Sequence, residues 1–181
     1  MASTHVRATD MNWEDEILQK VSRSFALTIP QLPAGLRERV ANAYLLCRII
    51  DTIEDENYLS LAEKENFFNE FISVVDGKSP AHNFVRHLNP RLNGSTLPAE
   101  KELVSRADAV FDRFFGFNAD QKAIIRRCLR IMATGMLGFQ ELQSAEGLKD
   151  MAHMNGYCYY VAGVVGEMLT ELFCEYSDQI A

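Results

Sequence analysis

Ala43-Tyr44-Leu45-Leu46-Cys47-Arg48-Ile49-Ile50-Asp51-Thr52-Ile53-Glu54-Asp55 passes from a run of apolar residues into three carboxylates. The spacing is helical. Tyr44, Arg48, Asp51 and Asp55 fall within an arc of about 60° on an ideal helix, so a ring, a guanidinium and two carboxylates share one face. Asp51 and Asp55 lie one turn apart, and like charges at that spacing cost a helix a few tenths of a kcal/mol. The apolar residues before them place the acids at the rim of a core. Carboxylates gathered there call for a cation. Hard oxygen ligands suit Mg2+, which takes one or two carboxylates and shares substrate phosphates. Arg48 either pairs with these acids or grips a phosphate. The plainer reading of the same residues is a solvated helix end closed by an Arg–Asp pair.

Outward from this stretch the periodicity stays helical, and no segment alternates polar and apolar residues for long enough to predict a strand. A first helix is expected from Asn12, whose side chain caps it, to about Thr28, after which Pro30 and Pro33 interrupt the chain. The second runs from Ala34 to about Ile53. Ser60 caps a third, Leu61 to Val75, which stops at Asp76-Gly77-Lys78-Ser79-Pro80. Asn89 to Pro98 reads as a loop and Ala99 to Phe115 as a fourth helix. Asn118 caps a fifth that reaches as far as Gln143, and a last helix spans about Asp150 to Tyr176. There are no repeats, low-complexity tracts or linkers. The expected fold class is an all-α bundle in a single domain.

Two further segments carry chemistry-bearing residues. The last helix is apolar nearly all round, which predicts burial in the core. Tyr157, Val161, Val164 and Met168 form a bulky stripe, while Gly156, Ala162, Gly163, Gly166 and Thr170 form a small one against which a neighbouring helix can come close. Near the end of the first helix, Ser22-Arg23-Ser24-Phe25 sets two hydroxyls and a guanidinium beside an aromatic ring. That set suits an anion with an apolar tail, and it also suits an ordinary helix surface.

Composition narrows the classes. The 181 residues carry a net charge of −7, so a non-specific nucleic-acid binder, which needs a basic face, is disfavoured. The four cysteines, Cys47, Cys128, Cys158 and Cys174, form no CxxC pair and read as small buried hydrophobes in a reducing compartment. The N-terminus lacks a signal-peptide pattern, and the apolar run Tyr157 to Gly166 is too short to span a bilayer. These features lead to the expectation of a cytoplasmic protein.

Taken in order, Ser22-Arg23-Ser24-Phe25, Tyr44-x-x-x-Arg48-x-x-Asp51-Thr52-x-Glu54-Asp55, Gly135-Met136, and Tyr157-Cys158-x-Tyr160-Val161-Ala162-Gly163-x-Val165-Gly166 resemble the squalene and phytoene synthase family. The resemblance runs from about Ile17 to Phe173. The acidic motif and the tyrosine string look more like the squalene branch than the phytoene branch.

The resemblance implies an isoprenoid-synthase-type helical bundle that joins two farnesyl diphosphates head to head, through presqualene diphosphate, to squalene. It implies Mg2+ and NADPH as cofactors. Asp51, Glu54 and Asp55 match the motif that holds Mg2+ bridged to a diphosphate. Tyr157 and Arg48 match catalytic positions, the tyrosine beside the allylic cation. Arg23 and Arg48 match arginines near the diphosphate and the NADPH phosphates. Ser22, Arg23, Ser24, Phe25 and Tyr44 match the pocket around the diphosphate and first isoprenoid units, and Val161 and Val165 match the wall of the long cavity. The apolar product implies work at the periphery of a membrane.

The family also carries a second aspartate-rich motif further downstream. Only Asp178 lies between Gly166 and Ala181, so residues 1–181 are expected to be the N-terminal part of one synthase domain, truncated before that motif and inactive alone. Two other readings stay open: a phytoene-, dehydrosqualene- or hydroxysqualene-forming enzyme, and a non-catalytic relative acting as a binding or assembly module.

Overall fold

The computed structural model describes residues 8–93, 95–142 and 147–180. Among the described residues there are helices and turns and no strand. The order is α1 (Ala8–Val21), α2 (Phe25–Thr28), α3 (Ala34–Asp55), α4 (Leu61–Val75), α5 (Ala81–Leu88), α6 (Pro98–Ser105), α7 (Ala107–Gly116), α8 (Ala119–Glu141), α9 (Met151–Cys158) and α10 (Val164–Tyr176). A π-helical turn, Tyr159–Gly163, joins the last two.

Helix α3 is the axis of the bundle. Thirteen of its 22 residues are buried, so it is covered on most sides, and it packs against α1, α4, α6, α7, α8 and α10. Leu45, Leu46, Ile49, Ile50 and Ile53 vanish into a core shared with Phe114 and with Phe71, Phe84 and Phe111, the last three of whose rings meet edge to face or tilted at 5.2–6.1 Å. Asn42 donates to the Val110 carbonyl at 2.9 Å and fixes α3 against α7. Buried Arg113 on α7 pairs with Glu14 on α1 and Glu38 on α3.

Several boundaries differ from expectation, each for a local reason. Asn12 lies inside α1 rather than at its start, and its side chain falls outside the described residues. The first helix ends at Val21, not Thr28, because the buried Ser22 hydroxyl accepts from the backbone N–H groups of Phe25 (3.0 Å) and Ala26 (3.3 Å) and starts α2 afresh. The helix read as Ala99 to Phe115 breaks at Arg106 (φ −120°, ψ 23°), whose guanidinium lies 4.2 Å over the Trp13 ring. Helix α5 occupies residues that the sequence left unassigned. Ser60 and Asn118 cap α4 and α8 as read, each with a reciprocal contact from Glu63 or Gln121. Gln143 lies outside the described residues.

The last helix corrects a stronger expectation. Val164, Met168 and Leu172 are buried against α8 and α3, but Ala162, Gly163 and Gly166 are exposed, and nothing approaches the Gly166 position within 4 Å. The bulky stripe makes the helix contact; of the small stripe, Ala162, Gly163, Gly166 and Thr170 are exposed, while Gly156 is half-buried beside the Phe139 ring. Of the cysteines, Cys47 and Cys128 are buried as read, whereas Cys158 is exposed. No helix among the described residues is long and apolar enough to cross a membrane.

Candidate active site

The face of α3 predicted to carry function lines a cavity of about 340 Å³. Val40, Tyr44, Cys47 and Asp51 line it from α3, Phe25 and Ile29 from the segment after α1, Met132 from α8, and Val161, Val165 and Leu169 from the π-helical turn and α10, whereas Arg48 and Asp55 of the same α3 face do not line it. The walls are apolar except at Asp51. The Phe25 and Tyr44 rings meet tilted at 5.4 Å, and the Tyr44 hydroxyl donates to the Val21 carbonyl at 3.2 Å, so the break after α1 is tied to α3. Ser22 is buried at this junction, while Arg23 and Ser24 are exposed beside it.

Arg48 bridges two carboxylates. It donates to Asp51 Oδ2 at 3.4 Å and more closely to Glu100 on α6. Its Nε is buried without a hydrogen-bond partner. Asp51 keeps 29% of its side-chain surface in solvent, and its carboxyl is pushed up to about 7. Burial is the main cause, opposed by Arg48 and reinforced by the charges of Asp55 and Glu54. Burial also raises Glu54 and Asp55 above the usual carboxylate range.

The three acids face different ways. Asp51 looks into the cavity, Asp55 is exposed, and Glu54 turns toward α8, where Gln140 Nε2 donates to it at 3.4 Å. Lys64 on α4 is buried and donates to the Glu54 carbonyl and, at 3.0 Å, to Gln140 Oε1. Glu56 ends α3 one residue beyond the motif. Its buried carboxylate accepts from the N–H groups of Tyr58 (3.1 Å) and Asn93 (2.8 Å) and from the hydroxyls of Ser95 and Thr96, which hold it down at about 2. Among the described residues no three His, Cys, Asp or Glu side chains converge as a ready-made metal cage. The donor set does fit a hard cation shared with a ligand: oxygen-only carboxylates, one turn apart, whose charged forms lack full compensation.

Tyr157 is half-buried on α9, its ring edge-to-face with Phe139 at 5.5 Å. Its hydroxyl is raised by burial and then by the facing charges of Glu54, Asp55 and Asp51, which keeps it neutral. The tyrosine and the acidic motif, about a hundred residues apart in sequence, are thus electrostatic neighbours. Val161 and Val165 line the cavity as expected.

The sequence reading missed Glu100, Lys64, Gln140 and Glu56. Glu100 stood in a visible helix-start pattern after Pro98, but nothing local shows that its second oxygen reaches Arg48 across 52 positions. Lys64 reads as one more lysine on an amphipathic helix.

Helices gathered around an apolar cavity, with an acidic motif and an arginine at its rim, define an isoprenoid-synthase-type helical fold. The sequence profile of the Squalene/phytoene synthase family matches residues 18–181. The chain belongs to that family. Squalene synthase from Schizosaccharomyces pombe is 29% identical over 166 residues, covering 88% of this chain and 34% of its own length. That of Dictyostelium discoideum is 32% identical over 161 residues, covering 89% and 36%. A solved structure of TcSQS with the ligand BPH1237 superposes with a TM-score of 0.70 at 30% identity, over 93% of this chain and 45% of that one. The chain thus spans about a third of the length of these curated relatives.

Proposed function

We propose that this chain forms the N-terminal part of a head-to-head prenyl synthase domain that condenses two farnesyl diphosphates through presqualene diphosphate to squalene. The observation that carries the reading is the cavity, whose lining is largely apolar and includes one carboxylate, Asp51, to which Arg48 donates. An amphiphile with an anionic head and an isoprenoid tail matches that polarity.

Asp51 and Asp55 would hold Mg2+, with Glu54 supporting them; the ion would supply charge neutralisation that makes diphosphate a leaving group. Arg48, which donates to Asp51, would add its positive charge to the anion site. Ser22, Ser24, Arg23 and Tyr44 surround the head, and Phe25, Val161 and Val165 contact the first isoprenoid units. The apolar walls exclude water, and the Tyr44 and Phe25 rings offer π-faces to positive charge. Tyr157 is neutral, so its hydroxyl would take part in proton removal only as a relay, its oxygen receiving the substrate proton while its own proton passes to a base such as a carboxylate of the acidic motif. NADPH would supply hydride for the reductive step. Exposed Arg23 is the more accessible of the two arginines for its phosphates, since Arg48 is held by Asp51 and Glu100. Product formation with and without NADPH separates squalene from the phytoene-type alternatives.

The test is Asp51→Asn and Asp55→Asn in the full-length protein. Each should lower squalene formation at least a hundredfold while the circular dichroism spectrum stays unchanged. A wild-type rate in either variant would remove the metal reading.

A further inference from the structure

Outside the motif, one polar network ends on it. Lys64 is 6% exposed, deeper than its side chain's chemistry favours, and it sits between two helices that carry the site. Its Nζ donates to the main-chain oxygen of Glu54, at the C-terminal end of α3, and to Gln140 Oε1 on α8. The Gln140 amide nitrogen then donates to the Glu54 carboxylate. Both polar ends of one residue are therefore held by a lysine and an amide from helices α4 and α8. The C-terminal end of a helix carries partial negative charge, so an ammonium there also stabilises the last turn, on which Asp51 and Asp55 stand.

We propose that Lys64 and Gln140 are positioning residues that lock Glu54 toward α8, so that Glu54 orients the last turn of α3 and leaves Asp51 and Asp55 as the ligating pair. This rests on the metal reading above and deepens it. Two properties follow from the geometry. Glu54 presents at most one oxygen to an ion, because the other is turned to Gln140. The direction of the Asp51 and Asp55 carboxylates depends on residues from outside the motif, as the outer partners of metal ligands generally do.

Gln140→Met is the sharpest variant, because it removes both hydrogen bonds without changing charge or much volume. Binding of farnesyl thiodiphosphate, a slowly hydrolysed substrate analogue, is measured by calorimetry across a Mg2+ series in full-length protein. Metal-free thermal melts run alongside. Gln140→Met should raise the Mg2+ concentration for half-maximal binding by about tenfold. Lys64→Met should shift it the same way, and Lys64→Arg, which keeps a donor, should restore most of the wild-type value. A lower melting temperature with an unchanged Mg2+ dependence in Gln140→Met would overturn the proposal and leave only packing. Tighter Mg2+ dependence in Lys64→Met would overturn it too, since Lys64 would then be a competing cation. Wild-type binding that ignores Mg2+ would instead remove the metal reading on which the proposal stands. If Lys64→Met does not fold, Gln140→Met alone decides, its site being only half-buried.

Discussion

At the scale of single residues, the site depends on where charge is left uncompensated. Tyr157 is raised by burial and by three carboxylates, so its hydroxyl holds its proton at neutral pH and can meet a cation without becoming a permanent anion beside it. Tyr157→Phe keeps the ring against Phe139 and removes only the hydroxyl. If the hydroxyl takes part in proton removal, turnover should fall by about two to three orders of magnitude, the range of general-base contributions, with little change in binding of the farnesyl analogue. Equal losses in binding and rate would assign the residue to packing. Arg48 shows the limit of local reading. The sequence allowed either a carboxylate pair or an anion grip, and the structure shows a pair with Asp51 and with Glu100.

At the scale of elements, the close approach that shapes the site is between α8 and the π-helical turn. A Cβ at Gly135 would lie 2.0 Å from the Tyr160 ring and 2.5 Å from its Cβ, so the ring cannot simply swing aside. Gly135→Ala should destabilise the protein by about 1–3 kcal/mol and displace the segment that carries Tyr157. Gly138→Ala on the same helix, where nothing lies within 4 Å, should instead stabilise it by roughly 0.5–1 kcal/mol. Thermal melts of the two variants check this, and equal effects would remove the steric argument. The wide turn at Tyr159–Gly163 was invisible in the sequence, because a π-helical turn adds one residue without changing composition. The breaks at Ser22 and Arg106 were hidden for a related reason: each is made by a side chain that bonds or stacks at its own site.

At the scale of the molecule, the carboxylates divide into two groups with opposite consequences for pH. Glu56 and Glu63 are held down at about 2, so their stabilisation is present above the ordinary glutamate range and is lost as pH falls toward 2. Asp51 and Glu14 are pushed up to about 7. For these the folded state binds protons more tightly than the unfolded chain, so stability falls as pH rises from about 4 to 7. Solvent at Asp51 screens part of that effect. In the absence of Mg2+ the melting temperature should therefore peak near pH 4–5 and decline by a few degrees toward pH 7.5. Asp51→Asn should flatten the decline. A profile that rises steadily to pH 7.5 would show that these acids are fully compensated in the apo protein.

The sequence by itself determined the all-α class, the ends of α4, the start of α8, and the face of α3 that carries Tyr44, Arg48, Asp51 and Asp55. Those follow from periodicity, capping residues and one-turn spacing, which are properties of neighbours along the chain. Ordered motifs far apart also sufficed for the family. What only the tertiary structure decided is which partners meet: Arg48 with Glu100, Glu54 with Gln140 and Lys64, and Tyr157 with Phe139. It also reversed the roles of the two stripes on the last helix, leaving Ala162, Gly163 and Gly166 open and burying Val164, Met168 and Leu172. A helix presents several faces that its own sequence can pattern, but which one is covered is fixed by the helices packed around it.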